Sequence, residues 1–299
     1  MVKKKNKMSE SNRHIFQSFW AVITNSHFSG YMSGKIYTGN SKNLCVPGMN
    51  CYSCPGARGS CPIGALQAVI GNYNYKFSYY VVGFLIFIGA LIGRLVCGWL
   101  CPFGLIQDLL NKIPFAKKIK TFKGDKILRK LKYVILVVFV ILMPLFLVDV
   151  IGQGTPYFCK LLCPVGTLEG GIPLVLLNKT LRSTIGFLYA WKNFLLISTI
   201  LLSIIIYRPF CKYICPLGAI YSLFNSISIF SYRLDHSKCI SCGACSRVCK
   251  MQVNPVKNCN DLECIRCGQC KKACPTGAIQ TGLLKSYPPK AESKTVDAI

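Results

Sequence analysis

Apolar and polar residues run in long blocks along this chain. Residues 77–96 (FSYYVVGFLIFIGALIGRLV) carry one charge, Arg94 near the end, and about twenty such residues cross a ~30 Å hydrocarbon core as a helix. Residues 133–151 (YVILVVFVILMPLFLVDVI) predict a second span. There neighbouring helices can satisfy the carbonyl that Pro144 frees, and Asp149 lies near an interface. Residues 187–207 predict a third, with FLLISTILLSIII as the apolar body and Lys192 snorkelling. Residues 15–37 (IFQSFWAVITNSHFSGYMSGKIY) are aromatic but patchily apolar, which fits a poor span, a re-entrant segment or an interfacial helix. No small-residue cleavage site follows them, so a removable signal peptide is not expected.

Loop charges set the orientation. Residues 112–132 hold nine cations (Lys112, Lys117, Lys118, Lys120, Lys123, Lys126, Arg129, Lys130 and Lys132) against one acid, Asp125, which marks a cytoplasmic loop whose charge acts as a topology determinant. The amino end adds Lys3, Lys4, Lys5, Lys7 and Arg13, whereas 152–186 has only Lys160, Lys179 and Arg182. Amino end, basic loop and carboxyl end then lie inside. That requires an even number of crossings, and this consistency promotes 15–37 to a full span.

Composition narrows the class. The 299 residues are 52% hydrophobic and 15% charged, with a mean hydropathy of +0.41, so a single ordinary soluble domain is not expected. The formal charge of +26 would suit nucleic acid, but beside such apolar runs it reads as basic loops at a bilayer. The 19 cysteines are too ordered in spacing, in too long and apolar a chain, for a secreted disulfide scaffold.

The cysteines form two kinds of pattern. After the last span, Cys239-x2-Cys242-x2-Cys245-x3-Cys249 is followed by Cys264-x2-Cys267-x2-Cys270-x3-Cys274-Pro275. This is a two-cluster bacterial ferredoxin pattern, in which the fourth cysteine of each run crosses to the other [4Fe-4S] cube. Cys239, Cys242, Cys245 and Cys274 should hold one cluster, and Cys264, Cys267, Cys270 and Cys249 the second. Zinc, the competing reading, has no use for the x3 cysteine. Lys250 stands where a Pro is usual after Cys249, and Cys259 reads as a spare thiol.

The second pattern repeats in the apolar half. RLVCGWLCPFGLI from Arg94 and RPFCKYICPLGAI from Arg208 share R-x2-C-x3-C-P-x-G, and YFCKLLCPVGTL with Cys159 and Cys163 is a third copy. The half-motif C-P-x-G recurs at Cys61 and Cys274, as though one local device were used five times. In C-x3-C two sulfurs can converge on one face of a turn, Pro interrupts the backbone ladder, and Gly admits close backbone approach. Buried apolar thiols at helix ends are the plain alternative. By topology Cys97, Cys101, Cys211 and Cys215 meet near the inner face as one cluster site. Cys45, Cys51, Cys54, Cys61, Cys159 and Cys163 lie toward the outer face, where four of the six would hold a cluster and a disulfide framework or zinc remains open.

On these motifs the chain resembles the NapH/NosR-like membrane polyferredoxins, over roughly residues 77–280. The resemblance implies an electron carrier working between the quinone pool or cytoplasmic donors and systems outside the cytoplasmic membrane. The Cys-rich 45–61 loop and the third motif depart from that pattern, as does the lack of a large flavin-bearing domain, so no nitrate or nitrous-oxide pathway is assigned.

The expected fold is an α-helical integral membrane protein with about four transmembrane helices, with re-entrant turns as an alternative, and a C-terminal α+β 2[4Fe-4S] ferredoxin-like domain. Its parts are a basic cytoplasmic tail (1–14), a transmembrane domain (15–232), the ferredoxin domain (233–283) and a flexible tail (284–299). The expected cofactors are two to four [4Fe-4S] clusters; the expected location is a prokaryotic cytoplasmic membrane, with both termini cytoplasmic. The expected function is electron relay between a soluble carrier and quinone, flavin or a partner redox protein. A maturation or reductive-activation factor and a membrane redox sensor are the alternatives. No triad, carboxylate pair or phosphate loop points to side-chain catalysis. His14, His27 and His236 read as surface or packing residues, and Asp108 and Glu169 as helix-capping or solvated carboxylates. Clusters at opposite faces of a ~30 Å core would be too far apart for easy direct transfer.

Overall fold

The computed structural model describes residues 2–71, 79–115, 118–147, 154–183 and 185–283. A helical body ends in a small module with the only two strands among these residues. Those strands, β1 (Phe230–Leu234) and β2 (Ile279–Leu283), pair antiparallel with Phe230 opposite Leu283, and the two cysteine runs lie between them in sequence.

Apolar length governs the helices. Phe187–Ile205 is, among the described residues, the one helix long and apolar enough to cross a membrane. The expected span 77–96 is a shorter helix, Tyr79–Ile92, about 21 Å at 1.5 Å per residue. It stops at Gly93 (φ +50), because Gly adopts this left-handed turn without a Cβ clash; residues 77 and 78 lie outside the described set. The expected span 133–151 is helical from Leu131 to Phe146, with a wide π-helical stretch at Leu136–Leu142; its end, with Asp149, lies outside the described residues, as does the tail 284–299.

The segment 15–37 is not one span. A helix runs from Val2 through the expected 14/15 boundary to Thr24, and a second, Phe28–Ser33, follows. The first helix ends at polar Asn25, whose side chain bonds back to Ala21 O at 3.1 Å, an Asn habit that competes with helix propagation.

One core runs through the molecule. It holds Cys61, Ile63 and Cys163 together with Cys97, Cys101, Cys211 and Cys215, and continues to Met251, Val253 and Ile265 of the ferredoxin module. The loop 45–61 folds into this core: a Cβ on Gly48 would lie 3.1 Å from Cys101 Cα. Buried Tyr221 donates its hydroxyl to Pro47 O at 3.0 Å.

Candidate iron-sulfur sites

The C-x3-C-P motif has a single backbone form. In all three copies the second cysteine's N–H reaches back five residues, Cys101 to Val96 O (3.1 Å), Cys163 to Phe158 O (3.0 Å) and Cys215 to Phe210 O (2.9 Å). This widened turn brings both cysteines of a copy to one side. The second cysteine is then extended (ψ 116°, 109° and 112°), as the residue before Pro must be. The Pro opens a new helix at its first position, where no N–H is missed. Cys61 does the same before Pro62–Ile70. The fifth expected use fails: after Cys274-Pro275 no helix forms, and Gly277 (φ +67) turns the chain into β2.

Cys97, Cys101, Cys211 and Cys215 are all buried, and two arginines lock their motifs together crosswise. Arg94, ahead of the first motif, donates to Cys211 O at 3.3 Å, and Arg208, ahead of the second, donates to Cys97 O. Both guanidinium groups are fully buried. Asp108 accepts two bonds from Arg208 at 2.6 Å and lies 2.7 Å from Arg13, with His14 at 3.6 Å. Burial opposes its ionisation, but Arg208, His14 and Arg13 outweigh that and hold Asp108 well below the usual carboxylate range. Asp108 is therefore neither a cap nor solvated, and His14 packs against it and Lys112 Nζ (2.8 Å). Burial pushes the Cys101 thiol up to about 12, and neighbouring Cys211 and Cys97 add to the effect. This places the thiols within electrostatic reach of one another.

Gln107 adds a residue that the motif reading missed. Its Nε2 donates to Cys211 Sγ at 3.2 Å while its Oε1 accepts from Phe210 N at 3.2 Å. Gln67 repeats both bonds on the third motif, to Cys159 Sγ at 3.3 Å and from Phe158 N at 2.9 Å. The signal was present as C-P-x-G-x-x-Q at 61–67 and at 101–107. Glu169 holds the corresponding place after Cys163 and accepts from Cys51 N at 2.8 Å. Burial pushes its carboxyl up to about 7 against the lowering effect of that bond, so it too is not a solvated carboxylate.

In the ferredoxin module two cavities each take four cysteines from both runs. Cys249, Cys264, Cys267 and Cys270 line one, and Cys239, Cys242, Cys245 and Cys274 line the other. Cys259 also borders the first cavity, but its thiol donates to Pro255 O at 3.0 Å. Ser241 (φ +51) and Arg266 (φ +52) take left-handed turns inside the two C-x2-C segments, ahead of Gly243 and Gly268. Such alternation turns successive backbone N–H groups inward, as an anionic cluster needs. Each cavity is thus lined by the four thiols that a [4Fe-4S] cube takes.

The module is locked to the helical body rather than tethered to it. Arg94 Nη1 donates to Leu262 O (2.6 Å) and Glu263 Oε2 (2.8 Å), and Lys132 pairs with the same Glu263. Trp99 donates to Arg266 O at 3.1 Å, and Arg129 to Gln252 Oε1 at 2.7 Å. A Cβ on Gly98 would lie 2.3 Å from Ile265 O, so only glycine permits this approach. Arg129 and Lys132 of the basic loop are thus docking residues for the module. From the amino-terminal helix Arg13 donates to Gly98 O (2.9 Å) and Gln17 to Cys101 O (3.4 Å). No motif announced these contacts.

Two 4Fe-4S binding domain models match the chain. One covers residues 77–121, 133–174 and 190–231, a C-x3-C-P motif in each segment, and the other covers 232–253 and 260–280, a ferredoxin run in each. The uncharacterized protein MJ0749 of Methanocaldococcus jannaschii is 31% identical over 177 residues, 58% of each chain. MJ0750 of the same organism is 31% identical over 198 residues, 64% of this chain and 74% of its own. The ferredoxin-type protein NapH of Escherichia coli is 29% identical over 166 residues, 54% of this chain and 49% of its own. The chain thus spans about half to three quarters of these relatives' lengths. No solved structure matches it.

Proposed function

This chain belongs to the NapH/NosR-like polyferredoxins and has [4Fe-4S] clusters as its cofactors; from that premise we propose that it is a multi-pass relay of the prokaryotic cytoplasmic membrane. It moves electrons between a soluble cytoplasmic carrier and a quinone, a flavin or a partner redox protein. Cys239, Cys242, Cys245 and Cys274 hold one cluster, Cys264, Cys267, Cys270 and Cys249 a second, and Cys97, Cys101, Cys211 and Cys215 a third. A fourth draws on Cys45, Cys51, Cys54, Cys61, Cys159 and Cys163. Amino end, basic loop and carboxyl end face the cytoplasm.

The carrying observation is continuity. Thiols of the ferredoxin module (Cys249, Cys264, Cys267), of the inner site and of the 45–61 loop pack into one core. Tyr221 is fully buried within electrostatic reach of Cys97 and Cys101 on one side and Cys61 and Cys45 on the other. The 45–61 loop packs Pro47 and Gly48 against Tyr221 and Cys101 of the inner site, which supports transfer between neighbouring clusters over less than a full bilayer. Outward-facing apolar residues support the bilayer: Phe187, Phe194 and Leu201 on one helix, Ile86 and Phe87 on a second, Val134 and Val137 on a third, Ile15 and Phe19 on a fourth. Exposed apolar residues gathered into a large patch mark a membrane or partner surface.

When bound, the clusters supply one-electron redox chemistry. The chain's own residues bury the thiols, exclude water, and place Arg94 and Arg208 as counter-charges. Gln107 donates to Cys211 Sγ, and such a bond favours the more anionic, reduced state. The test is iron and acid-labile sulfide per chain on anaerobically purified protein, with and without Ala at Cys97, Cys101, Cys211 and Cys215. About sixteen iron falling to about twelve is expected, at four per cube. About eight iron, unchanged by the substitutions, would reduce the protein to a membrane-anchored ferredoxin.

A further inference from the structure

Six thiols crowd the second site of the helical half, and a cube takes four. We propose that Cys51, Cys61, Cys159 and Cys163 hold this cluster, that Cys45 and Cys54 are packing thiols outside it, and that Gln67 and Lys192 set its surroundings. The proposal rests on the four-cluster reading above and assigns what that reading leaves open.

Geometry separates the six. Cys61 and Cys163 each open a C-P-x-G helix, and the glycine of each turn faces a sulfur from the opposite segment. A Cβ on Gly64 would lie 3.8 Å from Cys159 Sγ, and one on Gly166 would lie 3.6 Å from Cys51 Sγ. Two crosswise pairs, Cys61 with Cys159 and Cys163 with Cys51, thus surround one space. Gln67 braces it as Gln107 braces the inner site, with the same two bonds to the cysteine and to the phenylalanine before it. Cys51 is the member that no motif predicted. It stands where the inner site has the first cysteine of its C-x3-C, and Glu169 fixes its backbone from across the gap.

Cys45 and Cys54 have other partners. Cys54 Sγ lies 3.1 Å from the Tyr31 hydroxyl and 3.6 Å from Asn25 Oδ1. Cys45 sits in a parallel bridge with Ser60 and has Ser60 Oγ 3.9 Å from its sulfur.

Lys192 does not snorkel to the surface. Its Nζ would lie 3.9 Å from a Cβ on Gly166, beside the same space that Cys51 borders. The only cation in the body of an otherwise uncharged helix is thereby spent on a polyanionic cofactor, the usual reason for a charge within a span.

The experiment replaces each of the six cysteines singly with Ala in the full chain, purified anaerobically. It reads iron, acid-labile sulfide and the EPR signals of the reduced protein. Cys51→Ala, Cys61→Ala, Cys159→Ala and Cys163→Ala should each lose about four iron and one EPR signal while the other signals persist. Cys45→Ala and Cys54→Ala should keep the full complement. Loss with Cys45→Ala or Cys54→Ala beside retention with Cys51→Ala would overturn the assignment, as would full retention in a Cys159→Ala/Cys163→Ala chain. Retention in a Cys97→Ala/Cys211→Ala chain is a different failure and sinks the wider relay reading. Gln67→Leu leaves every thiol in place and should lower the midpoint of that one signal with iron unchanged. Unmoved midpoints would remove Gln67 from the cluster.

Discussion

The two four-thiol sites proposed for the helical half share a scaffold and differ in charge. Both set a C-P-x-G-x-x-Q helix against an F-C-x3-C-P turn and use the glutamine to hold a cysteine sulfur. Around the inner site, two cations and one acid stand on each side: Arg94, Lys132 and Glu263, and Arg208, Arg13 and Asp108. Each set nets +1, or +2 in all. Around the second site the place three before Cys159 is Pro156, and the charges are Lys192, buried Lys42 within reach of Cys54 and Cys51, and Glu169 with its carboxyl near 7, a net of +1 when Glu169 is ionised. Backbone form therefore decides that a cube can sit in either place, and buried charge decides how readily each accepts an electron. Since positive surroundings favour the reduced cluster, the inner signal should titrate at the higher midpoint.

The comparison breaks most sharply at Asp108. Asp108→Asn leaves Arg13 and Arg208 buried without their carboxylate, a change worth about 3–5 kcal/mol. Thermal unfolding should fall accordingly, and the inner EPR signal should be lost before the second site's. Gly98→Ala comes next, because a Cβ 2.3 Å from Ile265 O must part the helical body from the ferredoxin module at about 1–3 kcal/mol. Iron should stay while electron transfer from reduced ferredoxin clusters to the inner site slows, as read by stopped-flow or freeze-quench EPR. Arg208→Met, which takes its set from +1 to 0 while Asp108 stays paired with Arg13, should leave the second site's midpoint fixed. The inner midpoint should move down by tens of mV, on the scale of about 59 mV per 1.4 kcal/mol for one electron.

The smallest effect is in pH. Burial and neighbouring Arg94 push the Lys132 ammonium down to about 8, although Glu263 pulls it up. A lysine bound less tightly to its proton in the folded state carries a penalty below about 8. Between about 8 and the unfolded value near 10.4 the unfolded chain binds more protons, so stability rises with pH. Denaturant midpoints should rise over that window, and Lys132→Met should remove the rise while leaving the second site's signal unaltered.

The grouping of the ferredoxin cysteines around two cavities was legible because each run is local in sequence and its spacing implies the crossing of the fourth cysteine. The C-x3-C-P device was legible for the same reason: Pro dictates both the extended cysteine before it and the helix after it. Spans were less so. Apolarity marks which residues avoid water, but Gly93 and Asn25 end helices by backbone conformation and local hydrogen bonding, which hydropathy does not register. Arg13 and Gln17 gave no warning, because an isolated polar residue has the same appearance on a solvated face as inside a site, whereas Gln67 and Gln107 showed only as a repeat.

By itself the sequence determined the cofactor class, the two ferredoxin cysteine runs, the repeated turn that presents a cysteine pair, and the apolar length of the helix Phe187–Ile205, since each follows from residues within a few positions of one another. Tertiary structure alone decided which distant segments meet: Cys51 with Cys163, Arg94 with the carbonyl of Cys211, Lys192 with the space beside Gly166, and the ferredoxin module with Gly98. Those pairings arise from packing one core out of segments well separated in sequence, where burial and charge are settled by the whole fold and no local pattern can carry them.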